Sequence, residues 1–370
     1  MSLSTSNSKS AVTAEKSAAG TAHDGVWTVR FTWKHMLLVA LLTFCVLELL
    51  SRSFLFKISK DFSMFAKFPT RARALTAEPG LRVALIGNST TDDCTDAGVI
   101  KAQLEQQLHR PVSVEAFAAG GSMLPTQLHI VNHTFWRTNE RPDLYVVTFF
   151  NNNQDQLSDS EDMDAGRLGY FFTTPREWPR IFKREVQSPE ERIVFMASSA
   201  SASVAGRRRI ADRLSAITVP KYKELMWRVN GANVDHVIRG MKATSRPASY
   251  QDLNDLIQGA QARGSAVCFI AYPTRQCVSG QYTISQTSQR IIEAKGATLI
   301  DLRKKCQLPY ASYKDDIHIS KQWAPYYSGF VARAIEPICE NIVHGTSPAQ
   351  SASPTDMATK PRPTPTTPAP

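Results

Sequence analysis

The sequence lacks paired cysteines at the spacing of a metal or redox site. No Cys-x-x-Cys pair and no zinc spacing occurs among its six cysteines, which stand at positions 45, 94, 268, 277, 306 and 339. It also lacks the interleaved basic and aromatic residues of a nucleic-acid-binding module. We therefore expect neither a metal or other cofactor nor a nucleic-acid partner.

Acidic residues are in the minority. The chain has 43 Lys and Arg against 33 Asp and Glu, a formal net charge of +10. Such an excess suits contact with anionic lipid or an anionic polymer, although basic residues beside a membrane segment and in surface loops explain it more simply. Apolar residues make up 42% of the 370 residues, so a large core can form without disulfides or metals.

Long apolar runs are almost absent. The one clear run, Met36–Leu50, has 15 residues, whereas a membrane-spanning helix needs about 20. Extending it to 31–56 gives the length, provided that Glu48 and Arg52 lie near an interface. The sequence predicts a single transmembrane anchor over 31–56. A cleaved signal peptide and a buried or interfacial helix remain alternatives, and basic residues flank both ends, so they do not settle the orientation.

The ends of the chain differ in composition from its middle. Residues 1–30 and the Pro/Thr/Ser-rich residues 345–370 predict disordered tails. Residues 57–80 are interpreted as a basic connector that ends at a Pro-Gly pair, and the folded domain is expected over 81–344.

Short apolar strands alternate with amphipathic helices in this domain. Strands are predicted at 82–87, 112–117, 143–150, 266–272 and 297–302. The rhythm predicts an α/β fold, a doubly wound parallel sheet with flavodoxin-like layering. It breaks over 154–247, which we interpret as a helical insertion after the third strand, either a lid or substrate platform or an addition without catalytic duty.

Polar residues follow four of these strands, and ligands of open α/β sheets gather beyond the carboxyl ends of the strands. Four stretches stand there, called stations below: Gly87–Asp93, Ala118–Ser122, Asn151–Asn153 and, after a loop, Tyr313–His318. A serine hydroxyl needs a base to accept its proton. His318 is suited to that role, and Asp315 to orienting the histidine ring. Asp316 competes with Asp315, but its spacing to His318 fits less well.

These stations, in this order, resemble the SGNH/GDSL hydrolase superfamily over roughly residues 81–153 and 250–342. The first block is Gly87-Asn88-Ser89, and Asn88 stands where the family usually has Asp; Phe150 stands near the usual glycine of the third block. The resemblance implies Ser89 as nucleophile, with Asp315 and His318 as its partners. It also implies an oxyanion hole made by the N–H groups of Ser89 and Gly121 (or Gly120) and the side-chain amide of Asn152 (or Asn151 or Asn153). The alternatives are a fold that has lost its activity, or a Ser89 that caps a helix.

The resemblance also implies a class of function. An anchored domain of this kind is similar to bacterial inner-membrane proteins whose periplasmic domain adds or removes acetyl groups on cell-envelope or exported polysaccharides, some beside a multi-span membrane acyltransferase. A lipid or thioester hydrolase is a second hypothesis. A non-catalytic subunit that binds a glycan or holds a partner enzyme is a third.

Three further features have two interpretations each. His129 and His133 lie four residues apart, as metal ligands on one helix face do, but packing histidines are favoured. The aromatic residues of the insertion suit either sugar stacking or core packing, namely Tyr170, Phe171, Phe172 and Trp178. Cys277 and Cys306 follow the fourth and fifth predicted strands; if these strands are neighbours, a disulfide between the two cysteines in an oxidising compartment would brace the loop before Asp315.

Overall fold

The computed structural model describes residues 32–149, 169–184, 186, 188–221, 224–225, 247–275, 285–306, 308–315 and 317–345. The predicted tail 1–30 lies outside these residues, as does the predicted tail 345–370 apart from its first residue. The chain divides into two compact units, Met1–Cys45 and Val46–Pro370. Everything below except the first half of helix α1 belongs to the second unit.

Within the described residues, five parallel strands form one sheet in the order β2-β1-β3-β4-β5. The strands are β1 (Leu81–Gly87), β2 (Val112–Ala118), β3 (Leu144–Phe149), β4 (Ala266–Ala271) and β5 (Thr298–Asp301). This is a doubly wound α/β sheet, and the strand order reverses between β1 and β3. The predicted fold class is confirmed, and each predicted strand is found within one residue of its predicted bounds.

Helices precede, connect and follow these strands. They are α1 (Trp33–Ile58), α2 (Lys60–Ala77), α3 (Ser89–Cys94), α4 (Ala97–Leu108), α5 (Leu124–Val131), α6 (Trp178–Arg184), α7 (Pro189–Ala200), α8 (Ala202–Ala205), α9 (Arg207–Thr218), α10 (Pro247–Gln261), α11 (Gln286–Ala294), α12 (Leu302–Lys305) and α13 (Ala324–Val343). A π-helical turn, Asn132–Trp136, extends α5, and single 3₁₀ turns occupy Tyr310–Ser312 and Lys321–Trp323.

Both faces of the sheet are buried, as the continuous apolar strands require. Along β1, Val83 and Leu85 point into one core and Ala84 and Ile86 into another. The first core also contains buried residues of α4 and α13. The second contains residues of α2, α5, α10 and α11. The carboxyl ends of the strands therefore share one edge between two helical layers.

Helix α2 corrects the predicted domain boundary. The interpretation of 57–80 as a connector, with the fold beginning at Leu81, is wrong, because α2 belongs to the core. Its buried residues recur every three or four positions, and they are Phe62, Phe65, Phe68, Ala72 and Leu75. Basic residues between these positions and Pro69 within the helix masked that period.

Helix α1 is long and apolar enough to cross a membrane. It has 26 residues, more than the about 20 that a bilayer requires. The rest of the protein buries only 6% of its most apolar window, which disfavours the alternative of a buried core helix.

The predicted helical insertion after the third strand is present as α6 to α9. Its aromatic residues pack inside the protein instead of forming an open platform. Phe172 stacks on Phe65 of α2 with ring centroids 5.5 Å apart, and Tyr170 meets Phe195 edge-on at 4.8 Å. Phe171 packs against Phe62, and Trp178 against Phe195. Core packing, not sugar stacking, accounts for the four predicted aromatic residues.

Removing a buried ring of α2 tests whether this helix is part of the domain. Phe68 is fully buried and contacts the rings of Phe65 and Phe117. We expect Phe68→Ala to lower the free energy of unfolding by about 3–5 kcal/mol, because it opens a cavity in the core. Urea unfolding followed by tryptophan fluorescence measures the change. Lys67→Ala, at the exposed neighbouring position, is the control, and equal midpoints for both variants would contradict the assignment.

Candidate active site

Ser89 lies where β1 turns into a helix at the carboxyl edge of the sheet. Asn88 is the N-cap of α3, and its side-chain oxygen accepts hydrogen bonds from the N–H of Thr90 at 3.0 Å and the hydroxyl of Thr90 at 2.8 Å. Ser89 is therefore the first helical residue, not the cap. The capping interpretation of Ser89 is wrong, and its hydroxyl is available for another partner.

The turn before Ser89 requires a glycine. A Cβ atom built on Gly87 would lie 1.8 Å from Oγ1 and 2.7 Å from Cβ of Thr91, so any larger residue would force Thr91 to move. That hydroxyl lies 2.5 Å from Oγ1 of Thr148 near the end of β3. Gly87 thus lets α3 pack tightly against β3 at the point where the strand order reverses.

His318 and Asp315 meet Ser89 at this edge. The Nε2 atom of His318 lies 2.7 Å from the Ser89 Oγ. On the other side of the ring, Nδ1 lies 2.9 Å from Oδ2 and 3.0 Å from Oδ1 of Asp315. The three side chains form one hydrogen-bonded row in the order of a serine triad. Partial exposure of Ser89 and His318 leaves the row open to a ligand.

Backbone contacts hold the loop that carries Asp315 and His318. The N–H of Lys314 donates to the carbonyl oxygen of His318 at 2.9 Å, and Tyr313 forms an antiparallel bridge with Ile319. The N–H of Ile319 in turn donates to the hydroxyl of Tyr272 at 3.2 Å, just beyond β4. The loop is therefore fixed to the sheet independently of the triad hydrogen bonds.

Asp315 is held in its ionised form. Partial burial raises the pKa of its carboxyl group, but hydrogen bonds from the backbone N–H groups of His318 and Ile317 and from the His318 ring outweigh burial and lower the pKa below its ordinary value. Those N–H groups lie 2.7 and 2.9 Å from Oδ1. An ionised Asp315 fixes the ring tautomer with its proton on Nδ1, so that Nε2 faces the Ser89 hydroxyl as an acceptor.

The predicted glycine station forms a tight turn beside Gly87. The N–H of Ser122 closes the turn on the carbonyl oxygen of Ala119 at 3.1 Å, and Gly121 at its third position has a φ of 67°. The Ser122 hydroxyl donates to the carbonyl oxygen of Gly87 at 2.7 Å. The turn is thereby fastened to the strand end that precedes Ser89.

The structure distinguishes the two candidate glycines. The N–H of Gly120 donates to Oδ1 of Asp61 at 3.0 Å, so it is engaged elsewhere. No described residue accepts a hydrogen bond from the N–H of Gly121. Gly121 is therefore the better candidate for an oxyanion donor, as the sequence indicated.

Two residues of α2 reach the site, and sequence analysis missed both. Lys60 forms an ion pair with Asp92 of α3, and Asp61, which is nearly buried, accepts the Gly120 hydrogen bond. Both follow the N-cap Ser59, which separates α2 from α1. A signal was present in the Ser-Lys-Asp start of a helix, but nothing local indicated that this helix end lies at the triad.

Other predicted residues have different outcomes. Asn152 and its neighbours, Asp316 and Cys277 lie outside the described residues, so the amide donor stays a prediction. The predicted Cys277–Cys306 disulfide is not formed in the structure, because Cys306 is a free, buried thiol. His129 is buried 3.2 Å from Nη2 of Arg180, and Nε2 of His133 lies 3.1 Å from the carbonyl oxygen of Phe65. Both are packing histidines, and no three described His, Cys, Asp or Glu residues are grouped to hold a metal ion.

No protein-family model matches the sequence, and no curated protein matches it. The chain is similar to solved structures at low identity. A lipase/acylhydrolase from Enterococcus faecalis is 12% identical, with 69% of this chain and 95% of that chain covered and a TM-score of 0.35. An alpha/beta hydrolase from a metagenome of Lake Arreo is 12% identical, with coverages of 72% and 98% and a TM-score of 0.37.

A mutant of an acetyl-xylooligosaccharide esterase from Geobacillus is 11% identical, with coverages of 70% and 96% and a TM-score of 0.37. The geometry of this chain itself carries the assignment. The glycine turn after the second strand and the late Asp-x-x-His loop that meets Ser89 are the features that the sequence resemblance implied. With these on a parallel sheet of strand order 2-1-3-4-5, the chain has an SGNH/GDSL-like α/β fold.

Proposed function

We propose that this protein is a serine-dependent esterase or O-acyltransferase that acts on a cell-envelope or exported polysaccharide. The observation that carries the proposal is the row Ser89–His318–Asp315, whose hydrogen bonds of 2.7 and 2.9 Å connect a serine hydroxyl to a base and the base to a carboxylate. Such a row is the machinery of acyl transfer through a covalent intermediate.

In the first half-reaction, the Ser89 Oγ attacks the carbonyl carbon of an ester while Nε2 of His318 takes its proton. The negative charge on the former carbonyl oxygen is stabilised by the N–H groups of Ser89 and Gly121. When the intermediate collapses, the carbon–oxygen bond to the alcohol breaks, and His318 donates its proton to the leaving oxygen. Ser89 then carries the acyl group.

In the second half-reaction, a hydroxyl group attacks the acyl-enzyme. His318 removes its proton, and the Ser89 Oγ leaves and recovers that proton from His318. Water as the acceptor gives hydrolysis, and a sugar hydroxyl gives transfer. Throughout, Asp315 stabilises the imidazolium form of His318 without taking up a proton itself.

Acetyl groups, a glycan acceptor and a periplasmic position at a bacterial inner membrane are supported by the family resemblance and by α1. We propose α1 as a single-pass anchor, with a multi-span membrane acyltransferase as a partner that supplies acetyl groups. The basic net charge of +10 suits a domain that works beside anionic lipid or an anionic polymer.

A lipid or thioester hydrolase is the second candidate, and one observation favours it. Lys60 and Asp61, two and three residues after the end of α1 at Ile58, contact the helix of Ser89 and the Gly120–Gly121 turn. The helix that begins with Ser89 and the neighbouring glycine turn therefore contact the residues that directly follow the apolar helix. A substrate that stays in the bilayer by its acyl chain would find the site at this position.

The triad is tested by replacing its members in the full-length protein. With p-nitrophenyl acetate as substrate, we expect Ser89→Ala and His318→Ala each to lower kcat/KM by about 10³-fold or more. Ser199→Ala and His344→Ala change the same residue types away from the site and should leave activity unaltered. An active Ser89→Ala variant would exclude a Ser89 acyl-enzyme, and an inactive wild type would favour the binding-subunit hypothesis.

Substrate choice separates the candidate functions. If the enzyme acts on acetylated glycans, activity on p-nitrophenyl acetate exceeds that on the palmitate ester, and mass spectrometry finds acetyl groups removed from or added to an oligosaccharide. Higher activity on the palmitate ester would instead identify a lipid hydrolase. Ser89→Ala is the control for each substrate, because both candidates use the same nucleophile.

Asp61 is expected to position the oxyanion turn. Asp61→Ala removes the acceptor for the Gly120 N–H, and we expect kcat to fall about tenfold to a hundredfold with little change in KM, because the neighbouring Gly121 donor acts on the transition state. Asp61→Asn keeps an oxygen acceptor and should restore most of the loss. A change in KM alone, or equal losses in both variants, would contradict this role.

The pH dependence follows from the lowered pKa of Asp315. Activity requires Asp315 ionised, and the lowered pKa of its carboxyl group keeps it ionised to a more acidic pH than an ordinary aspartate. Asp315 should therefore add no ionisation to a plot of kcat/KM against pH at or above the ordinary aspartate pKa of about 3.9. A carboxyl resonance of Asp315 that titrates at or above that value in carbon-13 NMR would show that its pKa is not lowered.

A further inference from the structure

Glu48 is a carboxylate at the end of the apolar run of α1, and it is not left unpaired. Its oxygens accept hydrogen bonds from the hydroxyl of Ser201 at 2.8 Å, the N–H of Ala202 at 2.7 Å, and the N–H and hydroxyl of Ser203 at 3.3 and 3.1 Å. Arg52, one turn further along α1, also donates to it at 3.0 Å. These contacts fasten the start of α8 to α1 where the apolar run ends.

The next residues of the insertion also lie against α1. A Cβ atom on Gly206 would come within 2.5 Å of the side chain of Leu55, which is fully buried. Gly206 directly precedes α9, so α9 begins in contact with the last turn of α1. Arg209 in the first turn of α9 then pairs with Asp61 of α2 at 3.0 Å. The position of α9 is thus fixed beside the end of α1.

Helix α9 is amphipathic, and only the beginning of its apolar face is covered. Ile210 packs against the cluster of Leu55, Phe62 and Ala202. Leu214 and Ile217 continue that face at helical spacing but are 51% and 71% exposed. No residue of α9 is buried. An ordinary surface helix packs such a face against the core, whereas α9 leaves Leu214 and Ile217 exposed.

The charge of α9 complements one particular partner. The helix contains four arginines against a single acidic residue, and the arginines are Arg207, Arg208, Arg209 and Arg213. Apolar residues on one face with arginines at its borders are the pattern of a helix that lies in the interface of a membrane containing anionic lipid. The contacts with α1 bring this helix to the end of the apolar run, where a bilayer that α1 spans would end.

We propose that α9 docks on the anionic surface of the same bilayer that α1 spans, with Leu214 and Ile217 among the acyl chains and Arg207 and Arg213 at the lipid phosphates. The proposal rests on α1 as a membrane anchor. It gives Glu48 a role, because the hydrogen bonds from Ser201, Ala202 and Ser203 hold the docking helix at the correct depth. It also links the membrane to the active site, since Arg209 pairs with Asp61, which accepts the Gly120 N–H.

The experiment is hydrogen–deuterium exchange of the full-length protein in lipid nanodiscs. One preparation contains phosphatidylcholine alone, one contains phosphatidylcholine with phosphatidylglycerol, and a third sample is kept in neutral detergent. We expect the amides of 207–218 to exchange about tenfold more slowly in the anionic discs than in the neutral discs or in detergent. Leu214→Ser with Ile217→Ser should abolish this protection.

A matched control uses the exposed apolar residues of α7. Ile193 and Met196 are 63% and 41% exposed, and Ile193→Ser with Met196→Ser should leave the protection of α9 unchanged. Equal exchange of 207–218 in all three environments would overturn the docking proposal while leaving the anchor and the triad intact. A chain that separates from the discs on gel filtration would overturn the anchor, and this proposal with it. Protection in detergent that depends on protein concentration would identify contact between copies of the chain instead.

Discussion

The hydrogen bond between Nε2 of His318 and Oγ of Ser89 joins residues 229 positions apart in the sequence. The residues around it hold these two side chains in position. Gly87 allows the turn that presents Ser89, Asn88 caps α3 so that the serine hydroxyl stays available, and the bridge between Tyr313 and Ile319 holds the histidine loop. The parallel sheet makes the contact feasible, because it brings the ends of separate strands to one edge.

Helix α2 and the insertion are connected to this site more closely than their place in the chain suggests. Helix α2 contributes a face to the core, and its first turn contacts both the Ser89 helix and the glycine turn through Lys60 and Asp61. The insertion contacts the same region through Arg209. In the anchored enzyme that we propose, the geometry of the oxyanion turn and the attachment to the bilayer would depend on the same few residues.

Much of the fold was predictable because its signals are local. A continuous apolar strand followed by a small or polar residue marks each predicted strand end. Three of the four stations stand directly after such ends, and Asp315 and His318 follow the fifth strand after a loop. Helix α2 was not recognised, although Phe62, Phe65, Phe68, Ala72 and Leu75 have helical spacing. Its basic residues and Pro69 resembled a connector, and only packing against the sheet shows that the apolar residues form one buried face.

The sequence alone determined the order of strands and helices along the chain, the apolar helix near its start, and Ser89, Asp315 and His318 as candidate residues. Each of these depends on residue type and short-range spacing. Tertiary structure decided which groups meet. It paired the Gly120 N–H with Asp61, which left Gly121 as the candidate oxyanion donor, and it paired Glu48 with the start of α8. Such contacts depend on how distant segments pack, and no local pattern encodes a partner that lies 59 or 154 residues away.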